Sequence, residues 1–241
     1  MSEMNLGKPH EATYVKYDGR ETTVRITDRA LIGSGVFGDV FLADVDISGA
    51  TRQFAVKRFR GDNDPVPGAE AAQAMRNYKR LKKLGLKVFP TYRMEKDGNS
   101  VLITNGYTES TRLLSNMRLT DYGLPKIQNI DPNSYINLWE QMTSQAVKAA
   151  EHGLVLPSDS YLYTYNIRNG KIDFIIGDLD YVFQSPLPAD TTRINNLSNV
   201  LFSIIGFADD NIDCDSNAFY DFFTEKTKNL IDGNGVNAPS A

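Results

Sequence analysis

The chain has 241 residues, of which 41% are hydrophobic, and this is enough to bury a substantial core in one large domain or two small ones. It carries 26 basic and 30 acidic residues, so its net charge is -4 and its pI about 5.3. This balance excludes a basic surface as the basis of function, so we expect no nucleic-acid partner and no binding to an anionic membrane.

Segments that would direct the chain into or across a membrane are not expected. The first ten residues lack a basic end followed by an apolar run, and no stretch of about 18 apolar residues occurs. The single cysteine, Cys214, cannot form an internal disulfide, and no Cys/His cluster suggests zinc. The sequence therefore predicts a cytoplasmic protein, and it leaves open whether the protein is delivered into another cell.

Short β-type runs separated by turn residues predict an antiparallel meander in the first half. The strands are expected at Thr23–Ile26, Ala30–Ile32, Val40–Ala43, Gln53–Phe59, Val88–Met94 and Ser100–Thr104. Between the fourth and fifth strands, a loop with two Pro and two Gly over residues 61–68 precedes a run of helix formers from Ala69 to Leu84. The first half is thus predicted to be a sheet with one inserted helix.

The second half is predicted to be mainly helical. Asp131 and Pro132 are typical of a helix start, and an apolar stripe continues to a helix end near Gly153. A hairpin is expected from Ser160–Ile167 and Lys171–Gly177, since Arg168, Asn169 and Gly170 form a good tight turn. Two helices, about Thr191–Phe207 and Ser216–Ile231, precede a Gly/Asn/Pro/Ser tail that we expect to be disordered.

A G-x-G-x-x-G-x-V run lies where two of the predicted strands meet. It consists of Gly33, Ser34, Gly35, Val36, Phe37, Gly38, Asp39 and Val40. Glycines allow the backbone to close over phosphate groups, and the valine one turn further on is placed to cover a base. The run alone also fits an ordinary hairpin turn, whereas a dinucleotide-binding loop should open a helix rather than continue into a strand.

The next strand carries Ala55, Val56 and Lys57, an A-x-K pattern. A lysine there can reach the phosphates from under the glycine loop, although a lysine at a strand end can also be a simple surface residue. Together, the glycine run and the A-x-K strand resemble the small lobe of protein kinases. That resemblance makes Val40 and Ala55 the expected contacts of an adenine ring.

In that family a glutamate on the inserted helix pairs with the lysine. The candidate here is Glu70, although the register of the helix puts the expected acid nearer Ala74 or Asn77. Glu70, Ala74 and Asn77 lie on one helical face, so Glu70 could serve one turn early. The alternative is that Glu70 is a solvated acid in the first turn of the helix.

The second half keeps the family's order of motifs in altered form. Residues Glu151 to Asp159 resemble the catalytic loop, and the match puts Leu154 where the family has its catalytic Asp and Asp159 where it has a metal-binding Asn. Residues Ile175 to Asp180 resemble the D-F-G segment, with Asp178 as the metal-binding Asp and Asp180 in place of Gly. For Asp178, the alternative is a turn or helix cap.

The resemblance implies one α+β domain over residues 1–241 with a two-lobed protein-kinase-like fold. We expect a small antiparallel-sheet lobe with one helix at about 12–104, a hinge at about 104–108, a reduced and mainly helical lobe at about 109–231, and the tail at 232–241. The implied ligands are ATP and Mg²⁺ or Mn²⁺, with catalytic roles for Lys57, Asp159 and Asp178, and with Asp159, Asp178 and Asp180 as metal ligands.

Three functions remain open on the sequence alone. The first is an atypical kinase that transfers the γ-phosphoryl group of ATP to a protein hydroxyl, with Asp159 or Asp178 replacing the work that Leu154 cannot do. The second is a pseudokinase, a binding or scaffold module that uses nucleotide to hold its lobes closed. The third is a small-molecule kinase, which the short segment after Asp180 and the lack of an A-P-E motif would fit.

Overall fold

The computed structural model describes residues 6–15, 18–35, 38–60, 68–94, 100–104, 111–114, 118–128 and 135–232. The chain divides into two compact units. The first comprises Met1–Thr111 together with Asp178–Asp180, and the second comprises Arg112–Gly177 and Tyr181–Ala241. Three residues from late in the chain therefore belong to the first unit.

Six antiparallel strands of the first unit close into a barrel. They are β1 (Pro9–Val15), β2 (Glu21–Ser34), β3 (Gly38–Ile47), β4 (Ala50–Phe59), β5 (Thr91–Met94) and β6 (Ser100–Thr104). Their order around the barrel is β1-β2-β3-β4-β6-β5. Alternate residues of each strand point to one side of a sheet, and these fill the barrel with Ala12, Tyr14, Val24, Ile26, Ala43, Val45, Phe54, Val56 and Met94.

One helix, α1 (Ala69–Lys83), is inserted between β4 and β5. It begins after Gly68, and acidic Glu70 in its first turn and basic residues in its last turn suit the helix dipole. Met75, Tyr78 and Leu81 of this helix are all buried, whereas Leu84 at its end is half-buried. These residues recur every three positions, and this spacing keeps them on one face of the helix.

The second unit is mainly helical. Its helices are α2 (Ile136–Glu151), α3 (Ala189–Asn211) and α4 (Ser216–Ile231). Its strands are β7 (Thr111–Leu114, whose first residue is counted with the first unit), β8 (Ile127–Gln128), β9 (Leu154–Val155), β10 (Tyr161–Asn166), β11 (Lys171–Ile176), β12 (Phe183–Gln184) and β13 (Ile212–Asp213). The hairpin β10–β11 is confirmed, and β7 pairs beside β10.

Capping and apolar patterning explain the helices of the second unit. The Asp215 side chain accepts a hydrogen bond from Asn217 N at 3.0 Å, which satisfies one of the free amides at the start of α4. The apolar stripe of α2 is buried as the sequence indicated. The expected start of α2 at Asp131 and Pro132 lies outside the described residues, and the described helix begins at Ile136.

The α+β class is confirmed, with a curled antiparallel sheet and one helix in the first unit, and three α-helices among the described residues of the second. Two details differ from expectation. Strand β1 was not predicted, and the two short strands expected within residues 23–32 are one long strand, β2, whose pairing with β3 shifts register after Asp28 and after Leu31. In the part of the chain described, none of the helices has the length and apolarity needed to cross a membrane.

Candidate functional site

Strand β4 places Lys57 opposite the glycine-rich turn. Lys57 is the cross-strand partner of Val40, and Val40 is in turn the partner of Gly33 on β2. Residues directly opposite each other in an antiparallel pair present their side chains on the same face. Lys57 therefore lies on the face of the sheet that also carries Val40, and only strand β3 separates it from Gly33 at the start of the glycine turn.

The predicted adenine contacts lie on that same face. Ala55 is two residues before Lys57 on β4, and side chains two positions apart in a strand point to the same side. Val40, Ala55 and Lys57 thus form one patch, in which Ala55 and Lys57 are buried. Whether this patch holds an adenine ring stays a prediction, but the common face that it needs is present.

Lys57 forms ion pairs with two carboxylates from late in the chain. Its Nζ donates a hydrogen bond to Asp178 Oδ1, which lies 121 residues further on, and it donates to Asp180 Oδ1 at 2.8 Å. The side chains of Lys57 and Asp180 are only 10% and 9% exposed, whereas that of Asp178 is 30% exposed. The lysine and two of the three predicted metal-site acids, Asp178 and Asp180, are therefore brought together within the first unit.

Two carboxylates on one ammonium leave the cluster with one excess negative charge. Burial alone would lower the pKa of the Lys57 ammonium, but the charges of Asp180 and Asp178 outweigh burial and hold that pKa above its usual value. Burial, reinforced by the charge of Asp178 and opposed by Lys57, raises the pKa of the Asp180 carboxyl to about 6. A further cation would relieve this excess of negative charge.

The backbone at Asp178 adopts an uncommon conformation. Its φ is +49°, in the left-handed region that costs free energy for most residues other than glycine. Strained residues of this kind persist where the surroundings hold them in place, and they cluster at functional sites. Asp178 combines this backbone conformation with its ion pair to Lys57.

The glycines of the turn differ in what the fold requires of them. A Cβ added to Gly38 would lie 2.3 Å from the carbonyl oxygen of Arg58, so only glycine fits beside that strand. Among the described residues, a Cβ on Gly33 or Gly35 would meet nothing closer than 3.7 Å, and neither residue has a positive φ. The described contacts therefore require glycine at position 38, whereas they leave room for a Cβ at Gly33 and Gly35.

We expect Gly38→Ala and Gly35→Ala to differ in stability. The methyl group at position 38 must push apart the backbones of two paired strands, which should lower the free energy of unfolding by about 1–3 kcal/mol. At position 35 the nearest atom to the new methyl group is 4.0 Å away, so the change should be near zero or slightly stabilising. Urea denaturation of both variants measures this difference, and equal losses would contradict the described turn.

Ser34 is engaged in a polar cluster beside the turn. Its Oγ donates to Asp39 Oδ1 at 2.6 Å, and Arg60 donates to both side chains at 3.0 and 2.7 Å. The hydrogen bond from Ser34, followed by Arg60, lowers the pKa of Asp39. The cluster ties the two sides of the turn together, so the contribution of Ser34 to a ligand would come from its backbone. Val36 and Phe37, which complete the predicted loop, lie outside the described residues.

Helix α1 contacts the segment Asp178–Asp180, called the acidic segment below, through Asn77. The Asn77 amide donates to the carbonyl oxygen of Leu179 at 2.6 Å. Asn77 was one of the positions at which the family resemblance placed an acid, and an amide bonded to backbone occupies it instead. The ion pairs described for Lys57 are with Asp178 and Asp180. The pairing of Glu70 with the lysine stays a prediction.

Leu154, which the sequence matches to the position of a catalytic acid, is a buried strand residue. Leu154 lies in β9, pairs with Gln184 of β12, and its side chain is 2% exposed. A side chain packed this deeply cannot present a group to a ligand, so the residue is part of the core. The open segment begins after β9, where a 3₁₀ turn at Ser158–Ser160 carries an exposed Asp159. Asp159 belongs to the second unit, and its metal-binding role stays a prediction.

Two asparagines of α3 hold the backbone that leads into this turn. Asn196 donates from Nδ2 to the carbonyls of Ala146 and Leu154 and accepts from Leu156 N, all within 3.0 Å. Asn199 donates to the Leu156 carbonyl at 3.0 Å. Sequence reasoning missed these residues, because a polar residue on the buried face of a helix gives no local indication of its partner.

A metal at this site would depend on oxygen atoms from a ligand. Over the described ranges, no three His, Cys, Asp or Glu side chains come together in a way that could hold a metal ion. Mg²⁺ commonly takes one or two carboxylates and completes its shell with phosphate oxygens and water. Asp178 and Asp180, with their excess negative charge, suit that kind of shared site and do not suit a site built wholly from protein ligands.

Three solved structures similar to this chain are forms of one kinase domain. A doubly substituted PknI kinase domain of Mycobacterium tuberculosis is 12% identical, with a TM-score of 0.48, and the match covers 89% of this chain and 79% of that one. A singly substituted form gives 12% identity, a TM-score of 0.45, and coverage of 84% and 83%. The unsubstituted domain gives 13%, 0.44, and 79% and 77%.

These structures are kinase domains. Because their TM-scores lie below 0.5, the site has to be argued from the residues of this chain. No family model matches the sequence, and no curated protein matches it.

Proposed function

We propose that this chain binds ATP together with Mg²⁺ or Mn²⁺ at the face formed by the glycine turn and Lys57. The observation that carries this proposal is the pairing of Lys57 with Asp178 and Asp180. A buried lysine beside the glycine turn supplies a cation for phosphate groups, and two neighbouring acids supply ligands for a divalent ion. Val40 and Ala55 supply an apolar surface for the base.

The charge balance makes the proposed binding depend on metal. Lys57, Asp178 and Asp180 together carry one excess negative charge, and a triphosphate adds several more. Without a divalent ion, the nucleotide would meet like charges in a partly buried site, where Coulomb interactions are stronger than in water. A cation at Asp178 reverses the local charge, and it releases Lys57 to donate to a phosphate oxygen.

The test is the thermal midpoint of unfolding with and without ligands. Mg²⁺·ATP at 100 times its Kd should stabilise the wild type by about 2.7 kcal/mol, or roughly 5–10 °C. ATP with a chelator should stabilise it much less. Asp178→Asn should reduce the shift only when metal is present, and Gly35→Ala should weaken binding because its methyl group enters the space for phosphate. Equal shifts in the wild type and Asp178→Asn would refute the proposed site.

We also propose that this chain transfers the γ-phosphoryl group of ATP to a protein hydroxyl. Much of this reaction consists of positioning and charge neutralisation, for which a lysine and a metal suffice in part. The buried position of Leu154 favours a second candidate, a pseudokinase that binds nucleotide as a scaffold. Incubation with γ-labelled ATP and Mg²⁺ or Mn²⁺ separates the two, because only the enzyme labels itself or an added protein.

A further inference from the structure

The side chain of Asn77 joins α1 to the segment that carries both acids. Asn77 is completely buried, its Nδ2 donates to the Leu179 carbonyl at 2.6 Å, and its Oδ1 accepts from Gln73 Nε2 at 3.1 Å. Leu179 stands between Asp178 and Asp180, and it is itself buried. The amide therefore holds the backbone at the midpoint of the acidic segment.

A small shift of the Leu179 backbone would move the carboxylates of both Asp178 and Asp180. Asp178 has a φ of +49°, so the chain turns sharply just before Leu179. The two flanking carboxylates converge on one ammonium group, and that convergence requires the backbone to keep this turn. Without the Asn77 donor, the buried Leu179 carbonyl would lose a hydrogen bond, which costs free energy. We expect the backbone at Leu179 to shift so that the carbonyl finds another donor, and this shift would change the directions of both flanking carboxylates.

We propose that Asn77 is a positioning residue for the divalent cation, acting through Leu179 on the carboxylates of Asp178 and Asp180. This inference rests on the proposed Mg²⁺·ATP function. In this proposal, helix α1 acts on the metal site through the uncharged amide of Asn77, which contacts the backbone at Leu179. Residues that orient metal ligands without touching the metal commonly change metal affinity by about 10–100-fold when they are substituted.

A purely structural role of Asn77 would affect stability but not the metal requirement of nucleotide binding. If Asn77 only fills space and satisfies a buried carbonyl, its loss lowers stability but leaves the metal requirement of nucleotide binding unchanged. If it positions the carboxylates, the concentration of metal needed for nucleotide binding must rise, even in variants that remain folded. The two roles are therefore separated by the metal requirement, whatever happens to stability.

The experiment measures binding of a fluorescent ATP analogue to the full chain while Mn²⁺ is titrated at a fixed analogue concentration. Asn77→Leu keeps most of the volume and Asn77→Ala removes it, and both variants lose the donor. Asn77→Gln keeps an amide on a longer side chain. Gln73→Ala is the matched control, because it removes a second described partner of the Asn77 amide, on the same helix, and leaves the bond to Leu179 in place.

We expect the Mn²⁺ concentration at half-maximal binding to rise about tenfold in Asn77→Leu and Asn77→Ala. The rise should be smaller in Asn77→Gln and absent in Gln73→Ala. A lowered thermal midpoint with an unchanged Mn²⁺ requirement in both donor-free variants would overturn the inference. Failure of the proposed function would look different, because the wild type itself would then show no Mn²⁺-dependent binding.

Discussion

Lys57→Met is expected to destabilise the protein more than any other single change of a charged side chain among the described residues. The substitution keeps the unbranched side chain apart from its terminal ammonium group, but it leaves Asp178 and Asp180 without the charge of Lys57. Removing one partner of a buried ion pair costs about 3–5 kcal/mol, and the partial exposure of Asp178 favours the lower end of that range. Urea denaturation should show this loss, and ATP binding should fall at least roughly tenfold.

A matched control and a compensating variant make this result specific. Lys79→Met removes an exposed lysine from α1 in the same unit, and it should change stability by less than about 0.5 kcal/mol. Adding Asp180→Asn to Lys57→Met should recover part of the loss, since it removes one of the two opposed charges. If Lys57→Met were as stable as Lys79→Met, the described ion pairs would not contribute to the fold.

Leu154→Asp should cost on the order of 4 kcal/mol without producing phosphoryl transfer. Leu154 is 2% exposed within β9, so the variant loses a buried apolar side chain and places an unpaired carboxylate in the core. Leu154→Met, which conserves volume, should cost less than about 1.5 kcal/mol. Thermal unfolding and a γ-labelled ATP assay on both variants measure the two effects.

This pair of variants decides how the altered motif is interpreted. A Leu154→Asp protein that is as stable as Leu154→Met, and that gains transfer activity, would show that position 154 faces a ligand. It would then support the interpretation of Leu154 as the replacement of a catalytic acid. A destabilised and inactive Leu154→Asp protein would instead agree with the strand position of this residue.

Local patterns were sufficient to predict most elements of the first unit. The alternation in β4 and the helix formers of α1 are properties of consecutive residues, and both elements lie within a residue or a few residues of the expected bounds. Strand β1 was missed because its sequence, beginning Pro9, His10 and Glu11, has little alternation. Its pairing with β5 is a contact distant in the sequence that no local pattern encodes.

The residue types of the candidate site could be predicted, whereas the ion pairs of Lys57 with Asp178 and Asp180 could not. All three residues were named from the sequence, and the pairing expected for the lysine, with Glu70, stays a prediction. Asp178 and Asp180 are more than 120 residues away from Lys57, and nothing in the spacing of motifs fixes such a contact. The strand position of Leu154 could not be predicted for a related reason, since matching motif order does not reveal which residues enter a strand.

The sequence indicates that Asn77 forms a buried hydrogen bond, but it does not identify Leu179 as the partner. A polar residue within the apolar stripe of α1, three positions after Ala74 and next to Tyr78, indicates a buried hydrogen bond. The sequence does not say that the acceptor is a backbone carbonyl, because any residue in the chain could supply one.

The most direct test of the account is paramagnetic broadening of backbone amide signals by Mn²⁺·ATP in the ¹⁵N-labelled protein. If Mn²⁺·ATP binds at the proposed site, we expect strong broadening of the amide signals of Gly33, Gly35, Lys57 and Asp178. The effect should be small in Asp178→Asn and absent with diamagnetic Mg²⁺·ATP. If those four signals stayed sharp while Mn²⁺·ATP broadened others elsewhere in the chain, or bound nowhere, the proposed nucleotide site would be wrong.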